Sequence, residues 1–285
     1  MARVQRALQW TPERDAEIIR RYAAGETGQV IADHFGVCRS TILRRLPRLG
    51  AKARTNSEAQ TKHTLRHDAF DVLTPDAAYW CGFLFTDGSV SHRPGQTPEV
   101  SVGLSECDLG HIEKLRAFLG STHAITPMKA RPMTFKAGAY ISKAACRYSV
   151  RSAKLADRLC ALGRYDGPVD EGLVQSRDFW RGAMDGDGTI GISGGYPYLH
   201  LVGSRRLMEA YVRFLGHTGT RSLHVQPHKM IFSVNASGAT AARIIDRLYL
   251  QASPVLDRKA SRAARIHAWS LAAERPLPGL EMLGA

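Results

Sequence analysis

Two aspartates at matching positions are the residues in this chain best suited to chemistry. Asp87 lies near the end of the stretch YWCGFLFTDG, residues 79–88, and Asp187 near the end of FWRGAMDGDG, residues 179–188. In both stretches an aromatic residue precedes a glycine, four residues follow, and Asp-Gly closes the segment. A self-match with this spacing indicates a duplicated structural unit.

Each stretch reads as the end of a helix, and its spacing predicts how the two helices meet. Small residues four positions apart share one helical face, and such faces let two helices pack backbone to backbone. These residues are Gly82, Thr86, Gly182 and Gly186. A carboxylate at a helix C-terminus costs ~0.3–1 kcal/mol, and helix pairing would add repulsion between the two aspartates. A divalent cation between them would reverse this penalty. The alternative is two ordinary core helices that end in Asp-Gly turns.

Both stretches resemble the LAGLIDADG motif of homing endonucleases, read from Trp80 to Gly88 and from Trp180 to Gly188. The resemblance covers roughly residues 68–268. It implies an α+β fold in which two αββαββα repeats form a pseudo-twofold, saddle-shaped β-sheet. The segment LDRK at residues 256–259 also resembles the close of bacterial and phage members of the family.

The resemblance further implies a chemistry for the two aspartates. Asp87 and Asp187 would be catalytic residues and metal ligands, with Mg²⁺ or another divalent cation as cofactor. The earlier acidic position of the motif is Asp185 in the second copy, whereas the first copy has Phe85. This departure affects a position that is not the chief metal ligand of the family.

The implied function is that of a site-specific homing endonuclease that makes double-strand breaks in DNA and supports intron or intein mobility. The expected partner is double-stranded DNA, and the expected state is a monomer with internal pseudo-twofold symmetry. The alternative is a non-catalytic DNA-binding regulator, or an RNA-splicing maturase, on the same scaffold. Acids kept at both motif ends favour the endonuclease, because a regulator has no need of paired carboxylates.

Composition is consistent with a nucleic-acid partner. The net charge is +13 and the pI about 9.8, which suits a polyanion but does not separate DNA from RNA or an acidic membrane. No run approaches ~18 apolar residues, so we predict no membrane span. The five cysteines form no CxxC pair, which favours reduced thiols and an intracellular, cytoplasmic location.

Residues 1–49 predict a small all-α domain that precedes the repeats. Thr11-Pro12-Glu13 opens a first helix, a second runs from about Thr27 to Phe35, and a third begins near Cys38 and ends before Pro47. Three segments resemble the helix-turn-helix of resolvases, and they are Ile31-Ala32, Gly36-Val37 and Arg39-Ser40-Thr41-Ile42. Cys38 stands where that pattern has Ser or Thr, which weakens the N-cap.

In such a module the third helix enters the major groove. We therefore predict that Arg39, Ser40 and Arg44 meet base edges and that Arg45 meets phosphate. The alternative is a three-helix bundle with a solvated basic face.

The rest of the chain divides into four segments. Residues 50–67 form a predicted linker, 68–166 the first repeat, 167–272 the second repeat, and 273–285 a tail that we predict to be disordered. The order helix-strand-strand-helix-strand-strand-helix occurs in each repeat. Gly88 is expected to end the first motif helix in the left-handed conformation.

Basic residues on the predicted strands and hairpins are candidate DNA contacts. A hairpin before residue 147 interleaves basic and aromatic residues, which suits a phosphate backbone; a surface loop is the alternative. The candidates for DNA binding are Lys136, Lys143, Arg147, Arg151 and Lys229. The resemblance also implies a basic or amide residue near each cleavage centre, for which Arg147, Arg151, Lys229 and Asn235 are the candidates.

Overall fold

The computed structural model describes residues 9–52, 63–135, 138–165, 167–217 and 223–273, with only the backbone described at residues 133–135 and 138–140. Lys136, a predicted DNA contact, lies outside these ranges, as do residues 53–62 of the predicted linker and 274–285 of the predicted tail. The chain forms two compact units, residues 1–62 and 63–285. Each unit is described by itself.

The first unit contains three helices in the predicted order. They are α1 (Pro12–Ala23), α2 (Gly28–Phe35) and α3 (Arg39–Arg45). The side chain of Thr11 caps α1, and Gly36 ends α2 in the left-handed region at φ 66°. Cys38 makes no side-chain capping bond to the backbone of α3, as its poor N-cap propensity predicts. The core of the first unit is a cluster of buried apolar side chains, which includes Ile18, Ile31, Ile42 and Leu46.

The second unit begins with the first repeat, which has the predicted order of elements with one added hairpin. Its helices are α4 (Pro75–Thr86), α5 (Leu109–Phe118) and α6 (Ala153–Leu162). Its strands are β1 (Gly88–Ser91), β2 (Glu99–Ser105), β3 (Thr126–Met128), β4 (Pro132–Phe135), β5 (Gly138–Ile141) and β6 (Ala145–Arg151). The added hairpin is β4–β5, which forms a two-stranded sheet of its own.

The second repeat follows a short helix, α7 (Glu171–Val174). Its helices are α8 (Arg177–Asp187), α9 (Arg205–His217) and α10 (Gly238–Tyr249). Its strands are β7 (Gly188–Ser193), β8 (Tyr196–Gly203), β9 (Gln226–His228) and β10 (Ile231–Ser237). A last helix, α11 (Asp257–Ala273), follows this repeat.

The two repeats build antiparallel sheets with equivalent strand orders. The first sheet has the order β1-β2-β6-β3 and the second the order β7-β8-β10-β9. Gly88 pairs with Val102 in the first sheet, and Gly188 pairs with Leu201 in the second. One face of each sheet carries the core, because buried and more exposed residues alternate along the central strands. The opposite face, called the open face below, is available to a partner.

The prediction that Gly88 ends the first motif helix in the left-handed conformation was wrong. Gly88 is not among the residues with positive φ, and it begins β1 rather than ending the helix in the left-handed region. A Cβ at Gly88 would lie 2.4 Å from the carbonyl oxygen of Leu84, and one at Gly188 would lie 2.5 Å from that of Met184. Glycine is therefore required here because each strand turns tightly back over the end of its helix.

The two motif helices form the centre of the core of the second unit. Eight consecutive residues of α4, from 77 to 84, are buried, and so are seven of α8, from 179 to 185. A helix buried on all sides is an interior element rather than a surface one. Among the described residues, no helix is long and apolar enough to span a membrane.

Candidate active site

The site is built on the close packing of α4 against α8. A Cβ at Gly82 would lie 2.0 Å from the carbonyl oxygen of Phe179, and a Cβ at Gly182 would lie 2.0 Å from that of Tyr79. These contacts are reciprocal, since the positions differ by the same 100 residues. The predicted interface residues Thr86 and Gly186 meet one turn further on, where a Cβ at Gly186 would lie 1.9 Å from Oγ1 of Thr86. Glycine at these points lets the two backbones touch.

This packing brings the two predicted catalytic aspartates together. Asp87 caps the C-terminus of α4 and Asp187 is the last residue of α8, and both are half-buried. Burial, and next the charge of Asp187, raise the pKa of Asp87 from 3.8 to about 6. Burial also raises the pKa of Asp187, against the opposing effects of Lys259 and Tyr165. The carboxylate pair therefore lacks a full counter-charge within the protein.

The donor set fits a hard divalent cation. Mg²⁺ is bound by one or two carboxylates and keeps several of its waters. Within the described ranges, no group of three or more His, Cys, Asp or Glu side chains is placed to hold a metal ion. A cation at this site would accordingly take its protein oxygens from Asp87 and Asp187.

Lys259, for which the sequence predicted no role, lies buried beneath the end of α8. Its side chain is 1% exposed. The three N–H groups of its ammonium donate to the backbone carbonyl oxygens of Met184, Asp185 (2.8 Å) and Gly188 (2.7 Å) around the end of α8, and the carbonyl oxygen of Gly186 shares one of them at 3.4 Å. These are orphan acceptors at the negative end of the helix. Lys259 thus fixes the backbone that carries Asp187, and its charge lowers the pKa of both Asp87 and Asp187.

Asp185, the earlier acidic residue of the second motif, joins neighbouring helices through its carboxylate. It is fully buried and accepts hydrogen bonds from Tyr79 Oη at 2.6 Å, Tyr249 Oη at 2.7 Å and the amide of Leu256 at 2.8 Å. Its carboxylate therefore ties α4, α10 and the start of α11 to α8. The equivalent Phe85 instead packs edge-on against the ring of Phe179, which explains why the first motif tolerates an apolar residue.

Tyr165 is a second residue that the sequence did not identify. It follows α6 near the end of the first repeat, and its hydroxyl lies close enough to Asp187 to lower the pKa of that carboxyl, while Asp187 raises the pKa of Tyr165 after the larger effect of burial. Asp187 and Asp87 therefore have different surroundings even though their helices are equivalent. The site is symmetric in its backbone and asymmetric in its polar contacts.

The predicted basic residues of the first sheet lie on its open face. Arg147 donates to Glu99 Oε1 at 3.0 Å and to Ser101 Oγ at 3.2 Å, and Arg151 lies 3.6 Å from Glu99 Oε2. Both arginines are exposed, as is Lys143. Glu99 therefore holds two guanidinium groups in place on the surface available to a partner.

The remaining candidates of the second unit lie towards opposite ends of β10 in the second sheet. Lys229 is exposed in the β9–β10 turn, with φ 53°. Asn235 is exposed on β10, where its amide donates to Gln226 Oε1 at 3.1 Å. In the part of the chain that the structure describes, no hydrogen bond or ion pair joins these residues, Arg147 or Arg151 to Asp87 or Asp187.

In the first unit, three of the four predicted DNA contacts are exposed on α3, namely Arg39, Ser40 and Arg44. Arg45 is different, because its guanidinium pairs with both carboxylate oxygens of Asp15, at 2.5 and 2.6 Å, and lies over the ring of Trp10. These contacts hold α3 against α1. DNA binding by these four residues stays a prediction.

Comparison with known proteins identifies the fold. No protein-family model and no curated protein matches the sequence. The structure is similar to that of the homing endonuclease I-WcaI bound to its DNA recognition sequence, with a TM-score of 0.52 and 9% identity over 78% of this chain and 98% of that chain. The LAGLIDADG meganuclease I-AabMI bound to uncleaved DNA matches with a TM-score of 0.44 and 11% identity, over 71% of this chain and 92% of that chain.

The architecture is therefore the two-repeat LAGLIDADG fold, with two antiparallel four-stranded sheets and paired motif helices. The predicted α+β class and the order of elements in each repeat are confirmed. At this level of identity the similarity shows the fold alone.

Proposed function

We propose that this protein is a site-specific, divalent-metal-dependent DNA endonuclease of the LAGLIDADG type, which makes double-strand breaks as a homing endonuclease. The observation that carries the proposal is the pair of half-buried aspartates at the ends of α4 and α8. Their mutual repulsion has no value for stability, and local features that oppose stability are expected at functional sites. The DNA recognition sequence bound by I-WcaI and a net charge of +13 on this chain support the same partner.

In the proposed mechanism the fold positions the chemistry and the aspartates hold the ion. Asp87 and Asp187 would bind a divalent cation, Mg²⁺ by preference, at the scissile phosphates. When bound, such an ion supplies an activated water and stabilises the leaving oxygen. Hydrolysis adds water to phosphorus and breaks one P–O bond in each strand, with the proton ending on the leaving oxygen. Lys259 and the glycine contacts hold both carboxylates in place.

One experiment tests the function directly. The protein is incubated with a randomised duplex library and Mg²⁺, and the cut ends are sequenced. We expect a recurrent cut site, no cutting in EDTA, and loss of double-strand cleavage in Asp87→Asn and Asp187→Asn with DNA binding kept in Ca²⁺. Linear product formed at the wild-type rate by either variant would overturn the assignment of the aspartates.

The same experiment separates the alternative functions. A non-catalytic regulator would enrich a duplex sequence by binding and leave it uncut in Mg²⁺. A maturase would bind a structured intron RNA in preference to the duplex. Neither of these functions requires both carboxylates, so both variants would keep full function.

A further inference from the structure

The strands of the two sheets differ in how many basic residues they carry. In the first sheet, β6 contributes Arg147 and Arg151 to the open face. The four strands of the second sheet, all of which the structure describes, contain no lysine or arginine. A duplex that lies across both sheets needs cations on each side, because phosphate neutralisation dominates protein–DNA affinity. Something other than the strands must supply charge to the second half.

Helix α11 runs alongside β7 and is anchored at both ends. Near its start, Lys259 donates to the carbonyl oxygen of Gly188, the first residue of β7. Towards its end, Trp269 Nε1 donates to the carbonyl oxygen of Gly195, in the β7–β8 turn, at 2.9 Å. The helix therefore follows the whole strand, and the side chains between these anchors have defined positions next to it.

Two arginines on this stretch line a cavity at the edge of the second sheet. Arg262 and Arg265 are three residues apart and share one helical face. They border a cavity of about 230 Å³ together with Ile190, Gly191, Ile192 and Tyr198. Tyr198 lies on the open face, since its neighbours Pro197 and Leu199 in β8 are buried. The cavity therefore opens towards the surface on which a duplex would lie.

The cavity is positively charged and lacks a carboxylate. Among the described residues, the guanidinium of Arg262 makes one hydrogen bond, from Nη1 to the carbonyl oxygen of Ile190 at 3.4 Å. Among the described residues, neither arginine lies within 4.0 Å of a carboxylate oxygen. Burial is the main cause that lowers the pKa of Lys259, and the charges of Arg258 and Arg262 lower it further, so the cations on α11 repel one another. An anion in the cavity would remove this repulsion.

The ring of Tyr198 forms one side of the cavity, and its position requires glycine at residue 191. The two residues are cross-strand partners, and a Cβ at Gly191 would lie 2.9 Å from Cε1 and Oη of Tyr198. The phenol therefore leans over Gly191, which places its hydroxyl beside the cavity. Two guanidinium groups and a hydroxyl are donors that suit phosphate oxygens.

We propose that Arg262, Arg265 and Tyr198 form a binding site for backbone phosphate of duplex DNA, which supplies the second half of the saddle with the positive charge that its strands lack. The proposal rests on the proposed function for its partner. β7 continues directly from Asp187, and four strand residues span roughly 13 Å. The phosphate concerned therefore lies within a few nucleotides of the scissile bond on one strand.

The first test measures the salt dependence of DNA binding by the full chain in Ca²⁺, which makes it independent of cleavage. The duplex is the one recovered from the cleavage library or, if nothing is cut, one selected by binding. Each neutralised phosphate contributes about 0.9 to the slope of log K against log salt. We expect Arg262→Gln/Arg265→Gln to reduce the slope by about 1, as loss of one neutralised phosphate requires, and Arg262→Lys/Arg265→Lys to keep it.

The matched control removes the same charge elsewhere in the second repeat. Arg206 and Arg213 are exposed on α9, which packs through Leu207 and Tyr211 on the core side of the sheet. Arg206→Gln/Arg213→Gln should leave the slope unchanged. An equal reduction in both double variants, or none in Arg262→Gln/Arg265→Gln, would overturn the site.

The second test locates the phosphate. Single methylphosphonate substitutions remove one backbone charge at a time from the duplex. Wild-type protein should lose about ten-fold in affinity at one or two adjacent positions near the cut on one strand, and Arg262→Gln/Arg265→Gln should be insensitive there. Identical profiles for the two proteins would refute the contact, and an arginine-dependent slope on duplex RNA but not on DNA would refute the partner. Absence of cleavage would defeat the proposed function and leave both tests readable.

Discussion

At the residue scale, the catalytic candidates depend on charges that the protein compensates only in part. Asp87 and Asp187 are half-buried next to each other, and Lys259 is the buried cation placed nearest the end of α8 in the part of the chain that the structure describes. Lys259 offsets some of the repulsion but remains below the backbone. This balance leads to a pH prediction and a substitution prediction.

The pH prediction follows from the raised pKa of Asp87. A carboxyl group whose pKa is about 6 in the folded protein and 3.8 in the unfolded chain keeps its proton longer when folded. Stability of the metal-free protein should therefore fall as pH rises from about 4 to about 6, by on the order of 3 kcal/mol at most. Urea unfolding in EDTA, wild type against Asp87→Asn, measures this difference.

Mg²⁺ should suppress that fall, because metal binding requires the ionised carboxylates. Cation affinity, measured by calorimetry, should accordingly weaken below pH 6. A stability difference between wild type and Asp87→Asn that is constant from pH 4 to pH 7 would contradict the burial of this charge.

Lys259→Met should destabilise the protein by about 3 kcal/mol or more, because the buried carbonyl oxygens of Met184, Asp185 and Gly188 lose their donor and the charge of Asp185 loses a partner. It should also weaken divalent-cation binding, since the helix end that carries Asp187 is no longer fixed. Lys154→Met is the control, as Lys154 is exposed and pairs only with Asp71. Equal stabilities of the two variants in urea unfolding would show that the hydrogen bonds to α8 contribute nothing.

At the element scale, the pair of α4 and α8 depends on glycine at the crossing. Gly82→Ala places a Cβ within 2.0 Å of backbone that cannot move independently, so we expect a loss of about 3 kcal/mol or more. Gly216 is a matched control, since it is also helical and has no atom within 4 Å of its Cβ position. Gly216→Ala should be neutral or stabilise by up to about 1 kcal/mol. Thermal unfolding of both variants decides this, and a tolerated Gly82→Ala would contradict the close packing.

Helix α11 makes the two repeats unequal on the side of the second sheet, as the β4–β5 hairpin does on the side of the first. It follows only the second repeat, where it supplies Lys259 and the two arginines at the edge of the second sheet. Arg258 of the same helix reaches Asp108 of the first repeat at 3.1 Å. One helix therefore connects both repeats while it serves the site of only one.

At the scale of the whole molecule, the two units have separate predicted tasks. If the first unit binds DNA through α3, deletion of residues 1–56 should weaken binding to the target by about ten-fold or more and leave Mg²⁺-dependent cleavage in place. Competitive binding and cleavage assays on the same duplex measure both effects. Arg39→Gln/Arg44→Gln in the full chain should reproduce much of the loss, because these are exposed cations on α3. Unchanged affinity of the truncated protein would show that the first unit has another role.

Much of this architecture follows from local sequence signals. The duplicated motif, its glycines and the caps at Thr11 and Thr74 predict helices because they act within one or two turns of chain. Alternation along residues 99–104 predicts a strand for the same reason. The spacing of small residues indicated that the two motif helices pack together, and the resemblance to LAGLIDADG proteins supplied the saddle that the two repeats form around them.

By itself the sequence determined that two helices with small residues on one face would each end in an aspartate and that strands would follow them. Spacing along a helix or strand is a local property, so the sequence alone reveals it. Only the tertiary structure decided the surroundings of those aspartates. Lys259, Tyr165 and the arginines of α11 are far from their contacts in the chain, and a lysine or tyrosine carries no local mark of what it will reach. Burial and long-range hydrogen bonds assign such residues their roles, and both exist only after the chain has folded.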